Sequence, residues 1–257
     1  MTTLAIETAT VTVGAALADE SGVLAAFELR AGRRHAELLP TVVMSVLEGA
    51  GLNFGDLDSI AVDAGPGLFT GIRVGVAAAK GFAVALGVPV VALTSLEVLA
   101  VACEAAGNDC AIGVVDLRRG EVAWAMPPEP GESGGPAGPR APRHGSPELL
   151  AAELTELTER IGGERIVLAG DGALRYAEML TAGHKGRVSV AGRGFAAPPV
   201  ASLAVRGVTE LAAGRAVDPM DVRPVYLRDA DVRINWTTRH DSPGRSGDLP
   251  GRSGAEA

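Results

Sequence analysis

The sequence predicts an α/β fold in which two mixed sheets of the five-stranded type are flanked by helices. Near the N-terminus, three apolar segments follow one another with only short turns between them, which is typical of a meander of antiparallel strands. Further along, apolar segments of strand length alternate with longer segments of helical periodicity, which is typical of helices that cover a sheet. The 257 residues are 47% hydrophobic, so the chain can bury a large core in two small domains or one large one.

Glycines mark several element boundaries in the first half of the chain. Gly22 indicates a turn, and Gly51 and Gly87 end helices, because glycine readily adopts the left-handed conformation that closes a helix. The predicted elements are strands Leu4–Glu7, Val11–Leu17 and Val23–Leu29, a helix over Ala36–Gly49, strand Ser59–Val62, helix Thr70–Leu86 and strand Val88–Leu93. Three meander strands followed by helix-separated strands are the order of an actin-like (ribonuclease-H-like) domain.

The second half contains further strands and helices and one stretch with neither pattern. We expect a helix over Thr94–Ala106, a hairpin of Ala111–Asp116 and Glu121–Ala125, helix Pro147–Ile161, strand Arg165–Ala169, a short helix at Tyr176, strand Val188–Val190 and helix Pro198–Ala213. Residues 127–147 are rich in proline, glycine and glutamate and are expected to form a mobile insertion. We divide the chain into an N-terminal subdomain at 1–100, a C-terminal subdomain at 101–228 and a disordered tail at 229–257.

Composition and charge exclude several classes of protein. The net charge of −8 gives the chain no broad attraction for phosphate backbones, so we expect nucleic acid to be bound only indirectly. Cys103 and Cys110 are too few for a disulfide framework and match no zinc spacing. No segment has the pattern of a signal peptide or a membrane span, so we expect a cytoplasmic protein with no membrane partner.

The segment from Asp63 to Gly75 combines a strand end, a Gly-Pro-Gly turn and a helix start. Gly65 and Gly67 allow main-chain N–H groups to converge on a ligand or a partner, and Thr70 is a candidate N-cap. A tight connection that needs glycine for turn geometry explains the pattern equally well. The segment is similar to phosphate loops of actin-like ATPases, but it contains no Walker A pattern.

Glu7 and Asp63 lie at the ends of two predicted strands that face the same expected cleft. Carboxylates at such positions hold magnesium through water in actin-like ATPases, whereas capping of a turn is the alternative. With Thr8, Gly65 and Gly67 they outline a vestigial nucleotide cleft. Because the turn Thr8–Thr10 lacks a glycine, we expect the isolated chain to bind nucleotide weakly or not at all.

Two predicted helices are more apolar than one core requires. The helix after His35 is apolar over roughly half of its circumference, and the helix after Thr70 carries only Arg73 and Lys80 as charges. Gly71, Gly75 and Ala79 recur every four residues on the second helix and predict a groove for another helix. Both helices lie either in the core of a three-layer fold or at a junction with the equivalent helices of a partner.

Motifs along residues 1–228 make the chain resemble the TsaB (YeaZ) family, the accessory subunit of the bacterial complex that makes threonylcarbamoyladenosine in tRNA. The motifs are Leu4-Ala-Ile-Glu7-Thr8-Ala-Thr10, His35-Ala-Glu-Leu-Leu39-Pro40, Gly65-Pro-Gly-Leu-Phe69-Thr-Gly-Ile-Arg73-Val-Gly75, Asp116-Leu-Arg118-Arg-Gly-Glu121, Gly170-Asp-Gly172 and Arg223-Pro-Val-Tyr226-Leu-Arg228. Glu7 stands where the family often has aspartate. Residues 127–147 and the tail after Asp229 lie outside the resemblance.

The resemblance implies a non-catalytic paralogue of the transferase TsaD. It implies a heterodimer with TsaD, a TsaE-type ATPase in the same complex, a homodimer in isolation and contact with tRNA only through the complex. The implied partner interface consists of His35, Leu38, Leu39, Val42, Val46, Phe69, Ile72, Arg73, Val76 and Lys80.

No catalytic or metal-binding pattern points to an enzyme. TsaD-like enzymes bind metal through two histidines spaced H-x-x-x-H, whereas the corresponding stretch Thr94–Val101 contains no histidine. The four histidines of the chain are widely separated in sequence, so we expect no metal and no cofactor. The alternatives are an actin-like-fold enzyme, either a phosphotransferase or a glycoprotease, and a structural homodimer.

Overall fold

The computed structural model describes residues 1–107, 110–127, 141–161 and 163–227. The strands are β1 (Thr3–Glu7), β2 (Thr12–Asp19), β3 (Gly22–Arg30), β4 (Ser59–Asp63), β5 (Val90–Leu93), β6 (Cys110–Arg118), β7 (Glu121–Trp124), β8 (Arg143–Gly145), β9 (Ile166–Ala169) and β10 (Val188–Val190). The helices are α1 (His35–Ala50), α2 (Phe69–Leu86), α3 (Ser95–Ala105), α4 (Pro147–Arg160), α5 (Asp171–Arg175), α6 (Ala177–Thr181) and α7 (Val200–Ala212).

The strands form two five-stranded mixed sheets with the same topology. The first sheet has the order β3-β2-β1-β4-β5, and the second has the order β10-β9-β6-β7-β8. In each sheet a three-stranded antiparallel meander is followed by two strands parallel to the first strand of the meander. The arrangement predicted for the first half of the chain therefore occurs twice.

Local sequence signals explain where the main helices begin and end. α1 and α2 end at Gly51 and Gly87, which are left-handed with φ values of 67° and 69°. α3 begins with a capping box in which Thr94 accepts a hydrogen bond from Glu97 N and the Glu97 side chain accepts one from Thr94 N. The prediction of Thr70 as an N-cap is wrong, because α2 already begins at Phe69 and has no side-chain cap.

Helices cover both faces of the first sheet. α1 and α2 bury one face with a core that includes Val42, Val46, Ile72 and Val76. α7 covers the other face, where alanines of the strands let the helix approach closely. A Cβ at Gly207 of α7 would lie only 2.7 Å from the Ala61 Cβ, so glycine permits this close contact.

Two parts of the expected domain division need correction. α7 was assigned to the C-terminal subdomain at 101–228, but it packs on the first sheet because its apolar stripe completes that core. Within 127–147, Arg143–Gly145 is not an unpacked insertion: it forms β8 and pairs with β7. Residues 128–140 and the predicted tail 229–257 lie outside the described residues.

The second sheet also lies between two layers of helices. α4 packs Leu150 and Leu154 against the face that carries Trp124, while α3 packs Leu96 and Leu99 on the opposite face. α3 and α7 contact each other and so lie between the two sheets.

By length and composition alone, α2 is apolar enough to cross a membrane, but its inward residues belong to the core of this α/β domain.

Candidate functional site

The loop between β4 and α2 is held in place by a polar cluster. The Ser95 hydroxyl lies 2.8 Å from Asp63 Oδ1 and 2.9 Å from the carbonyl oxygen of Pro66, so its one proton is shared between these two acceptors. The N–H of Gly65 donates to the same Asp63 oxygen at 2.7 Å. Gly65 has a φ of 97°, a left-handed value that disfavours any residue with a side chain. The glycine turn is therefore needed for this conformation.

Gly67 of the loop and Gly71 and Gly75 of α2 face the turn that follows β1. A Cβ at Gly67 would lie 2.1 Å from the Ala9 carbonyl oxygen, and one at Gly71 would lie 2.0 Å from that of Thr8. A Cβ at Gly75 would lie 2.3 Å from Thr8 Oγ1. These glycines therefore let α2 lie directly against the chain after β1.

The groove predicted on α2 for another helix is occupied instead by the turn that follows β1. Gly71, Gly75 and Ala79 are buried against the chain's own residues, not open to another molecule. Hydrogen bonds tie the two segments together, from Leu68 N to the Ala9 carbonyl (2.7 Å) and from the Thr8 hydroxyl to the Gly71 carbonyl (2.8 Å). A nucleotide phosphate does not fit between segments in such direct contact.

Glu7 and Asp63 are fully buried at the adjacent ends of β1 and β4. Glu7 Oε1 accepts a hydrogen bond from Ala9 N at 2.9 Å, and Asp63 Oδ1 accepts those from Gly65 and Ser95. Within the described residues, Glu7 Oε2 and Asp63 Oδ2 are buried and have no hydrogen-bond partner. A buried carboxylate oxygen without a partner disfavours the charged form of its group.

Both carboxyls of the pair have raised pKa values. Burial raises the pKa of the Glu7 carboxyl well above its usual range, and the negative charge of Asp63 raises it further. Burial also raises the pKa of Asp63, although the hydrogen bond with Glu7 and those from Gly65 and Ser95 oppose the rise. Nowhere in the described ranges do three or more His, Cys, Asp or Glu side chains come together as a metal site.

The structure divides the ten residues expected at a partner interface into two groups. Six of them pack into the chain's own core and are at most 4% exposed: His35, Leu39, Val42, Val46, Ile72 and Val76. The expectation that these side chains face a partner is corrected, because α1 and α2 turn their most apolar sides toward the first sheet. Phe69 and Arg73 are exposed, and Leu38 and Lys80 are half-buried.

His35 has a structural role at the start of α1. Its Nε2 lies 2.8 Å from the carbonyl oxygen of Thr10, so this nitrogen carries the proton and donates it. The contact joins the start of α1 to the turn after β1. This explains the buried histidine without catalysis or metal binding.

The outward face of α2 carries a cluster of aromatic and cationic side chains. The Arg73 guanidinium lies 3.7 Å from the centre of the Phe69 ring, and Arg73 Nε donates a hydrogen bond to the Tyr226 hydroxyl at 2.9 Å. Phe69 and Tyr226 are 40% and 43% exposed. Lys80 Nζ lies 3.4 Å from the Met220 carbonyl. The C-terminal segment 218–227 therefore borders this face.

A polar network of the second sheet was missed from the sequence. Buried Asp116 accepts hydrogen bonds at Oδ2 from Arg118 (3.0 Å) and from Arg175 (2.8 Å). Asp171 accepts a hydrogen bond from Asp116 N at 2.8 Å. The sequence places Asp116 in a predicted hairpin and Arg118 in its turn, but it does not indicate that Arg175, which is distant in sequence, binds the same carboxylate.

Comparisons with known proteins point to one family. A family model for TsaD, described as tRNA N6-adenosine threonylcarbamoyltransferase, matches residues 28–133. The tRNA threonylcarbamoyladenosine biosynthesis protein TsaB of Escherichia coli is 35% identical over 126 residues, which cover 49% of this chain and 54% of that protein. The chain spans about half the length of the curated relatives that it matches.

Solved structures support the same comparison and the predicted fold class. YeaZ from Pseudomonas aeruginosa superposes with a TM-score of 0.69 and 26% identity, over 88% of this chain and 99% of that one. A ROK hexokinase from Thermus thermophilus superposes with a TM-score of 0.50 and 16% identity, over 82% and 100% of the two chains, and shares the fold alone. The predicted actin-like α/β fold is confirmed.

Proposed function

We propose that the chain is a member of the TsaB (YeaZ) family, to which it is similar, and that it is a non-catalytic partner subunit in threonylcarbamoyladenosine biosynthesis. In this role it pairs with a TsaD-type transferase and activates it. The transferase attaches the threonylcarbamoyl group to the adenosine next to the anticodon. A TsaE-type ATPase joins the same complex, and tRNA is held by the complex and not by this acidic chain. We place the complex in the cytoplasm.

The uncovered outward face of α2 is the observation that supports this role best. Ala77, Gly81 and Val84 follow Arg73 along this face and are all exposed, with Val84 at 61%. They give the face a flat apolar centre with Arg73 as its only cation among the fully exposed residues of α2. Exposed apolar surface of this kind is typical of protein interfaces.

The matched family model supports a transferase as the partner. Residues 28–133 match the TsaD model, and this range contains both α1 and α2. A transferase related to this chain would present equivalent helices. Two related chains can then pair α1 and α2 with their counterparts about an approximate two-fold axis. In the absence of the transferase, the same face would pair with a second copy of this chain.

The strand-end geometry supports a non-catalytic role. Glu7 and Asp63 are fully buried, and the glycine loop and the start of α2 pack directly on Ala9 and Thr8. An enzyme would need an accessible catalytic group in the cleft. We therefore assign the chemistry to the transferase.

Reconstitution tests the proposal directly. Purified TsaD-type transferase, TsaE-type ATPase, tRNA and the threonylcarbamoyl-adenylate donor are combined with or without this chain, and modified adenosine is quantified by mass spectrometry. We expect modification to require this chain. A modification rate that is independent of the chain would contradict the proposal, whereas modification by this chain without the transferase would contradict its non-catalytic part.

A further inference from the structure

A cleft of about 430 Å³ opens between the end of β3 and the second sheet, away from the outward face of α2. Three arginines from distant parts of the sequence line it: Arg30 at the end of β3, Arg118 at the end of β6, and Arg193 after β10. The lining includes neither Glu7 nor Asp63. This cleft therefore differs from the strand-end site and from the proposed partner surface.

The two carboxylates of the cleft are already engaged by the backbone. Glu28 Oε1 accepts a hydrogen bond from Val200 N at 2.7 Å, and Asp171 Oδ1 accepts one from Asp116 N at 2.8 Å. In the described part of the chain, Arg30 and Arg193 have no ion pair. Arg30 and Arg193 therefore offer guanidinium N–H donors that no described carboxylate pairs with, whereas Arg118 is paired with Asp116 at 3.0 Å.

Arg118 is held at the cleft by local structure. The register of β6 against β7 shifts between Asp116 and Arg118, and Arg118 has a φ of 68°, which is unfavourable for a residue with a side chain. A bulge of this kind redirects a side chain and is common next to functional sites. The buried Asp116 carboxylate fixes the position through hydrogen bonds from Arg118 N (2.8 Å) and Nη1 (3.0 Å).

The remaining walls of the cleft define the size and character of the ligand. Val11, Ala197 and Pro199 provide apolar surface, and the hydroxyls of Thr10 and Thr12 also line the cleft. The volume lies in the range of small-molecule sites. Guanidinium groups match the oxygens of phosphate with paired hydrogen bonds.

We propose that this cleft binds a small phosphate monoester, whose phosphate is held by Arg30, Arg118 and Arg193. The small organic part rests on the apolar wall formed by Val11, Ala197 and Pro199. The site is independent of the partner role, because none of its residues lies on α2. Its occupancy can be measured on this chain alone.

The test uses ribose 5-phosphate as the probe, titrated into the full chain and followed by ³¹P NMR. We expect saturable binding of one molecule per chain that weakens as salt is added. Arg30→Gln and Arg193→Gln should each weaken binding at least tenfold, since each removes a charged hydrogen-bond donor. Arg34→Gln is the matched control, because Arg34 is an exposed arginine outside the cleft that pairs with Glu37. Thermal unfolding establishes that each variant is folded.

Competition experiments identify the recognised group. Inorganic phosphate should displace ribose 5-phosphate, whereas ribose should not. The proposal is overturned by absence of saturable binding, by displacement with ribose, or by unchanged affinity in folded Arg30→Gln and Arg193→Gln variants. Arginine-dependent binding of single-stranded RNA at least tenfold tighter than that of ribose 5-phosphate would also overturn it, because the ligand would then be a polymer.

Discussion

Glu7 and Asp63 determine the chemistry at the shared end of β1 and β4. Both lie at positions where an actin-like enzyme would use free carboxylates, yet here they are fully buried and held by hydrogen bonds from Ala9, Gly65 and Ser95. These hydrogen bonds join the ends of β1 and β4 to the turns that follow them.

The buried pair predicts a specific pH dependence of stability. Because the pKa of Glu7 is raised in the folded state, the folded chain retains a proton that the unfolded chain loses above its ordinary pKa. The contribution of the Glu7 carboxyl to the free energy of unfolding is therefore largest at low pH. It declines as the pH rises toward the pKa that this carboxyl has in the folded chain. Glu7→Gln removes that decline and supplies an N–H donor for Asp63.

Between pH 5 and pH 8, we expect the free energy of unfolding of Glu7→Gln to increase relative to that of the wild type. Denaturant unfolding at several pH values measures the difference. The wild type at constant ionic strength is the reference. Parallel stability curves for the two proteins would show that Glu7 does not retain a proton.

The glycines of α2 predict opposite effects of one substitution at two positions. Gly71→Ala would place a Cβ 2.0 Å from the Thr8 carbonyl oxygen, whereas a Cβ at exposed Gly81 meets nothing within 4 Å. We expect Gly71→Ala to destabilise the fold by about 1–3 kcal/mol or more through overpacking. Gly81→Ala should stabilise it by up to about 1 kcal/mol, because alanine favours the helix. Denaturant unfolding measures the free energy of unfolding of both variants. Equal stability of Gly71→Ala and Gly81→Ala would contradict the close packing of Gly71 against Thr8.

At the scale of elements, periodicity predicts most of the helices and strands but not which side of α2 faces inward. The predicted helix Thr70–Leu86 agrees with α2 within one residue. Its composition is apolar on nearly every side, so the sequence alone could not identify the side that packs on β4. The decisive contact, Gly71 and Gly75 against Thr8, is a long-range one. The cleft arginines were missed for the same reason, since Arg30, Arg118 and Arg193 meet only in the fold.

Two valines of α2 test its orientation. Val76 is 4% exposed and belongs to the core, whereas Val84 is 61% exposed. Val76→Ala should lower the free energy of unfolding by about 1.5–3 kcal/mol, and Val84→Ala should change it by less than about 0.5 kcal/mol. Denaturant unfolding of both variants measures this. A larger loss for Val84→Ala than for Val76→Ala would mean that the helix faces the other way.

At the scale of the whole molecule, the two sheets share the layer formed by α3 and α7. The repeated topology suggests two separable halves, and the expected boundary at residue 100 follows from it. α7 nevertheless returns from the end of the chain to cover the alanine-rich face of the first sheet. This return could not be predicted from the sequence, because the apolar stripe of α7 suits either sheet.

A fragment of residues 1–106 tests this correction. It contains the first sheet with α1 and α2 but lacks α7, so residues such as Ala5, Ala16 and Ala61 would face water. We expect the fragment to show no cooperative thermal unfolding, in contrast to the full chain. Cooperative unfolding of the fragment with full native secondary structure would restore the boundary at residue 100.

The central claim is that the outward face of α2 docks onto a TsaD-type transferase. The most direct measurement is the dissociation constant for that transferase of two matched variants, Val84→Asp on α2 and Val205→Asp on α7. Val84 and Val205 are both exposed, at 61% and 41%, so both variants should fold. We predict that Val84→Asp weakens association at least tenfold while Val205→Asp leaves it within twofold of the wild type. Equal affinities of the wild type and Val84→Asp would contradict the claim.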